Sequence, residues 1–363
     1  MKINRLFIAR FCLSGLLLLP TALLFSQTLT GRVMDESGEP VAGVSVYFDG
    51  TTRGADTDAS GRFRLNHTQQ VNPVLVFSKM GYHTGYITGN QIQNHFEMVL
   101  RPRTFDIKEV EISGAFSRAQ KLAAFRARFL GTDAAGRSCV IENEDDLLLD
   151  YDVDSLVLRV SAKAPLRIQN PYLGYRLVMD MSEFYLTFKK LSINPKDGAT
   201  DFYRATTFFI DESDDKNKFA NRREKSFRGS QMLFFRELFN SQHKEPRFML
   251  WNGVNPVAYS DAFRVSDTLG YKKVEVIKNT HAFFSFNALG EILIVKVPPG
   301  PPVQAVYTLI YASGSHSLIY LRTSSFLIDR FGNHSAGDSI QFDGTIARKR
   351  LGNLLPSDYE SEP

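Results

Sequence analysis

The run Asp56, Asp58 and Ser60 ahead of Gly61, within GADTDASGRFRL at 54–65, has the alternating oxygen donors of the first half of a calcium-binding loop. Such a loop needs a carboxylate at its twelfth position, and counting from Asp56 that position is His67. Residues 62–66 also alternate apolar and charged as a strand does. The stretch is therefore expected to be a hairpin turn at Asp58–Gly61 with a structural role.

Seven histidines could ligate a metal: His67, His83, His95, His243, His281, His316 and His334. None begins an H-x-x-E or H-E-x-x-H pattern. His95 and His243 each precede a glutamate by two positions, which on a strand puts both side chains on one face. No third ligand is marked, so satisfied surface histidines are the expectation. For nucleophilic catalysis, no G-x-S-x-G occurs. Ser241 and Lys244 share the S-x-x-K spacing, but the partner motifs of a penicillin-recognising enzyme are missing. GSHS at 314–317 sets Ser beside His, and adjacent strand residues point to opposite faces. Cys139 would need a histidine brought to it by the fold; a buried, inert thiol is expected instead. No glycine-rich phosphate cradle follows a strand. Pro171, Tyr172, Leu173 and Tyr175 of NPYLGYRL, and Trp251 of MLWNGVNP, could offer aromatics to a sugar or peptide. Their pattern fits better a turn into a core strand. Sequons at Asn66 and Asn333 would matter only in a glycosylating host. No catalytic, cofactor-binding or metal-ligating residue is assigned, and no cofactor is expected.

The elements that would position any site are mostly strands. VSVYFDG alternates Val44, Val46 and Phe48 on one face against Ser45, Tyr47 and Asp49 on the other. GRFRLNH turns Phe63 and Leu65 inward and Arg62 and Arg64 outward, and VLVFSKMGY reads as a strand buried on both faces. Short strands at this spacing predict a small antiparallel sandwich over residues 27–112. GAFSRAQKLAAFRARFL, 114–130, contains no proline and no β-branched residue and predicts a basic amphipathic helix within a connector at 113–135. Such a helix can touch a membrane surface, which leaves peripheral membrane association open; packing its apolar face on a neighbouring domain is the stronger expectation. From 136 to 355 the β pattern dominates, with one helix expected at 227–241 and a solvated charged loop at 211–225. PPGPP at 298–302 separates two strands, and 356–363 reads as a polar tail.

The first residues predict export. Lys2, Arg5 and Arg10 precede an apolar stretch from Phe11 to Phe25, then the small Ser26, which is the layout of a signal peptide at 1–26. Its removal would take three cations and no acid, lowering the formal charge of +4 to +1. A nearly neutral chain argues against a nucleic-acid partner. Cys139 would then be the one cysteine, so no intrachain disulfide could form.

LTGRVMDESGEPVAGVSVYFDGTTRGADTDASGRFRL and LVFSKMGYHTGYI, within 29–100, resemble a carboxypeptidase-regulatory-like domain. That resemblance implies a transthyretin-like sandwich of about seven strands, non-catalytic beside a peptidase, or placed ahead of TonB-dependent receptors in Bacteroidota. The segment DIKEVEISG, 106–114, is similar to the one leading into a receptor plug, but only about 250 residues follow it. That is too few for a plug and a 22-strand barrel. The C-terminal part is similar to an uncharacterised Bacteroidota family of exported proteins, on FLGTDAAGRSCVIEN, APLRIQNPYLGYRLVMDMSEF, RREKSFRGSQMLFFREL and LGNLLPSDYE. The expectation is a mainly β protein of the periplasm or outer-membrane periphery: a sandwich, a connecting helix and a larger β-rich domain with one or two helices. It would bind or scaffold an envelope protein, peptide or glycan. A hydrolase with a site assembled in the C-terminal β domain is the alternative.

Overall fold

The computed structural model describes residues 27–67, 70–93, 95–103, 115–215, 217–240, 246–279, 284–286, 292–294, 297, 300–312 and 314–361. The leader at 1–26, the segment DIKEVEISG, Ser241, His243, Lys244, His281 and part of PPGPP lie outside them.

Seven strands form the first domain: β1 (Gln27–Asp35), β2 (Ser45–Phe48), β3 (Gly54–Asp56), β4 (Arg62–His67), β5 (Val74–Ser78), β6 (Gly85–Thr88) and β7 (Phe96–Leu100). They make two sheets, β4-β1-β7 and β3-β2-β5-β6, with β7 parallel to β1. Alternation places Val44, Val46, Phe48, Phe63 and Leu65 in one core with Leu29, Val33, Leu75 and Phe77. Leu75 to Ser78 are all buried, because β5 lies between two neighbours and both of its faces are covered.

The turn at Asp58–Gly61 is not a hairpin. β3 pairs with β2 and β4 pairs with β1, so this turn carries the chain from one sheet to the other. The Asp58 carboxylate accepts from Ser60 N, Ser60 Oγ and Arg62 N at 2.8, 2.7 and 2.9 Å. Gly61 adopts φ 74°, and a Cβ there would lie 2.4 Å from the Val33 carbonyl oxygen. Only glycine fits so close to a neighbouring backbone.

The second domain opens with α1 (Arg118–Phe129) and α2 (Ala134–Ser138). A capping box between Ser117 and Gln120 starts α1, which buries Ala124, Phe125 and Phe129. Its cations are engaged with protein: Lys121 Nζ donates to the Leu149 carbonyl, Arg118 to those of Leu147 and Glu144, and Arg126 pairs with Glu144. Then follow β8 (Val140–Ile141), β9 (Leu147–Asp152), β10 (Val157–Ala162), β11 (Leu166–Asn170), β12 (Tyr175–Phe188) and β13 (Gly198–Asp211). The central β12 has β13 along one side, while β11 and β10 share the other. Beyond the pair α3 (Ala220–Phe227) and α4 (Gln231–Phe239) lie β14 (Phe248–Asn252), β15 (Asn255–Val257), α5 (Tyr259–Ala262), β16 (Phe263–Thr268) and β17 (Tyr271–Val276). The chain continues through β18 (Phe284–Phe286), β19 (Ile292–Ile294), β20 (Ala305–Tyr311), β21 (His316–Leu321), β22 (Ser325–Ile328) and β23 (Ile340–Gly344). These strands add sheets β15-β14-β20-β21-β23 and β16-β17-β22 and the pair β18-β19. One core runs through the domain, and the α4 rings Phe234 and Phe235 meet Phe248, Phe263, Phe326 and Phe342 in it.

Three expectations are corrected. The helix expected at 227–241 starts later, as α4, because Gly229 at φ 62° turns the chain and Ser230 caps α4, its Oγ accepting from Leu233 N. The charged loop expected at 211–225 ends in α3, whose Arg223 is buried and forked onto Asp211 at 2.8 Å through two nitrogens. The expected polar tail is docked: Ser357 is buried, and the Tyr359 ring meets Phe227 at 5.6 Å.

Candidate functional site

Among the described residues, those with chemical spacing do not converge. His316 is exposed while Ser317 is buried, its Oγ accepting from Ile346 N at 3.0 Å, so GSHS splits across two faces. Cys139 is buried, donates weakly to the Ala135 carbonyl at 3.4 Å, and burial pushes its thiol up to about 12. His95 bonds Thr30 through Nδ1 at 2.7 Å. Leu173 and Tyr175 of NPYLGYRL are buried, and the Arg223 guanidinium lies 3.9 Å from the Tyr175 ring centre, so this loop feeds the core. The buried Trp251 Nε1 has no partner among the described residues. Among the described residues no group of three or more His, Cys, Asp or Glu could hold a metal ion.

What the fold assembles instead is a seam between the domains. Strand β13 would be an open sheet edge with unpaired backbone groups. The loop after β2 closes it: Gly50 N donates to the Thr207 carbonyl at 2.7 Å, Phe209 N to that of Thr51 at 3.0 Å, and Thr207 N to Asp49 Oδ1 at 2.7 Å. Ser357 N donates to the Gly50 carbonyl at 2.7 Å, which brings the C-terminal segment onto the same loop. Asp358 then accepts from Thr52 N at 3.0 Å and Thr52 Oγ1 at 2.7 Å, and pairs with Arg53 at 3.4 Å. Tyr47, on the nominal outer face of β2, stacks on Phe208 at 4.9 Å, and Tyr86 donates to Asp180 at 2.8 Å. Gly54 is needed here, since a Cβ would lie 2.5 Å from the Phe208 ring.

Beside the seam a cleft of about 370 Å³ opens, walled by Asp49, Gln70 and Asn72 of the first domain and by Gln231, Met232, Phe235, Asn333, His334 and Ser357 of the second. Desolvation outweighs two backbone amides at Asp49 and raises its carboxyl to about 6. Burial lowers His334 to about 4, against a smaller opposing effect of Asp329, so its imidazole is neutral. His334 Nδ1 is buried without a partner among the described residues, and the ring lies 4.5 Å from that of Phe235. Asp329 braces the wall, accepting from Val71 N, Phe331 N, Asn333 N and Asn333 Nδ2 at 2.8 to 3.0 Å. A neighbouring cavity of similar size contains Lys349 and Arg350, but both are paired. Lys349 donates to the carbonyls of Lys225, Ser226 and Arg228 where α3 ends, and Arg350 binds Asp201 at 2.9 Å.

No short motif marks Asp49 or His334, because they meet only through tertiary packing. The signal available in sequence was indirect: a large aromatic, Tyr47, on the supposedly solvated face of a strand.

Residues 29–112 match the CarboxypepD_reg-like domain family. A 92-residue stretch is 34% identical to the TonB-dependent receptor SusC of Bacteroides thetaiotaomicron, covering 25% of this chain and 9% of the receptor. The chain thus spans about a tenth of that relative, and the match fits a Bacteroidota protein. Solved structures with partial likeness include a cohesin–X-dockerin complex from Acetivibrio cellulolyticus, 22% identical over 20% of this chain and 51% of that one, TM-score 0.17. A provisionally assigned carbohydrate-binding protein from Bacteroides uniformis is 10% identical over 51% of this chain and 79% of its own, TM-score 0.19. Scores this low do not establish a common fold.

Proposed function

We propose that the chain is an exported, non-catalytic module of the cell envelope that holds a partner or ligand at the cleft between its two domains. The observation that carries this reading is the seam: a backbone ladder joins the domains and leaves a lined cavity beside it. A CarboxypepD_reg-like domain fits an accessory role. The leader-like residues 1–26 support export. No helix among the described residues is long and apolar enough to cross a membrane, a statement that leaves strands aside.

The hydrolase alternative draws on one observation, that Asp49, His334 and Ser357 border the same cleft. A nucleophile, base and orienting acid must lie within hydrogen-bond reach of one another. Here Ser357 Oγ accepts from Gln70 at 3.5 Å, Asp49 accepts from Thr207 N, and His334 Nδ1 contacts no donor or acceptor. The expected result is that purified protein hydrolyses peptide and ester substrates no faster than a heat-inactivated control. Turnover above that control, or retention in the cytoplasm with residues 1–26 uncut, would overturn the reading.

A further inference from the structure

We infer that the cleft binds a neutral polyhydroxyl ligand of one or two saccharide rings. This rests on the reading of the chain as a binding module and adds the chemistry of what is bound.

Among the described residues the wall contains no lysine or arginine. An anion such as a phosphate or carboxylate would meet Asp49 with nothing to offset its charge. The remaining polar groups are neutral and mixed in character. Gln231 and Asn72 carry side-chain amides with no hydrogen bond among the described residues, each offering a donor and an acceptor. Asn333 uses its Nδ2 on Asp329, which leaves its Oδ1 to accept. A hydroxyl both donates and accepts, so a set of neighbouring hydroxyls can satisfy such a wall. An ammonium only donates and would leave the amide nitrogens unanswered.

Met232, half-buried in the wall, supplies apolar surface for the C–H face of a sugar ring. At about 370 Å³ the cleft lies near the small end of ligand pockets, which limits the occupant to a short saccharide.

The test is calorimetric titration of the full chain with glucose, N-acetylglucosamine, maltose and cellobiose, beside glucuronate and glucosamine as charged probes. At least one neutral sugar should bind saturably in the millimolar range or tighter, and both charged probes at least about tenfold more weakly. Asn72→Ala should weaken the neutral sugar about tenfold or more. Gln231→Ala is the companion variant; both side chains are exposed, so folding should persist while affinity falls. The inference is overturned if no neutral sugar binds, if a charged probe binds as tightly, or if neither variant changes affinity. Saturable binding of glucosamine or of a short peptide that Asn72→Ala abolishes would overturn the ligand class and leave the binding-module reading intact. Hydrolysis of a probe would instead overturn that reading.

Discussion

Two loops of the first domain, Asp49–Arg53 and Asp56–Gly61, each present an aspartate near glycine, and they have opposite fates. The second has the letters of a calcium loop. Its Asp58 is exposed, and the Ser60 hydroxyl and neighbouring amides hold the carboxyl below its ordinary value. The first has no recognisable letters. Yet its backbone closes the edge of β13, and Asp49 rises to about 6 because the second domain takes it out of water. The difference teaches that an acid's chemistry is set by what covers it, and local spacing is blind to that.

The largest expected effect separates the loops by sterics. Gly61→Ala puts a Cβ 2.4 Å from the Val33 carbonyl oxygen at φ +74°, and should cost roughly 4 kcal/mol in chemical denaturation. Gly50 has a similar φ of +70° but nothing within 4 Å, so Gly50→Ala should cost only about 1 kcal/mol. Equal losses would mean that the two loops are packed alike.

The second prediction concerns pH. Asp49 has a folded pKa of about 6 against 3.8, so the fold gains stability as pH falls between those values. His334 has a folded pKa of about 4 against 6.5, so the fold loses stability as pH falls through that window. The two effects nearly cancel in the native chain, and single variants unmask them. Asp49→Asn should gain roughly 3 kcal/mol relative to the native chain at pH 8 and nothing at pH 3.5. His334→Gln should show the reverse, a relative gain near pH 4 that vanishes above pH 7. Urea denaturation across the range measures both, and parallel profiles for all three proteins would refute the assignment.

A smaller effect tests the anchor of the first loop. Asp358→Ala removes the bonds to Thr52 and Arg53 and should cost roughly 2 kcal/mol, with faster amide exchange confined to the seam. Smallest of all, Asp58→Ala should lower the melting temperature by a few degrees at most. Neither calcium nor EDTA should move the melting temperature of the parent chain, and a calcium-dependent rise would restore the metal reading of that loop.

Much of the first domain was legible in sequence. Period-two alternation assigns Val44, Val46, Phe48, Phe63 and Leu65 to its core, and the glycine turns mark its reversals. Even there, Tyr47 was placed outward by alternation and is fully buried, because the covering surface belongs to another domain. The pairing of β3 and β4 in different sheets was equally illegible, since a tight turn specifies a reversal and not the partner strand. In the second domain the apolar face of α1 could be read from spacing, whereas the charges of α3 read as a solvated loop and the turn at Gly229 read as part of a helix. The cleft was not legible at all. Asp49 and His334 are 285 positions apart in the chain, and no period or motif relates them.

The most direct measurement is native-state hydrogen exchange at the amides of Gly50, Thr207, Phe209 and Ser357. These four N–H groups donate across the seam, so they should exchange together with protection close to that of the β12–β13 core amides. Exchange of all four as fast as in an open loop, while the β12–β13 pairing stays protected, would show the domains to be separate bodies with no cleft between them.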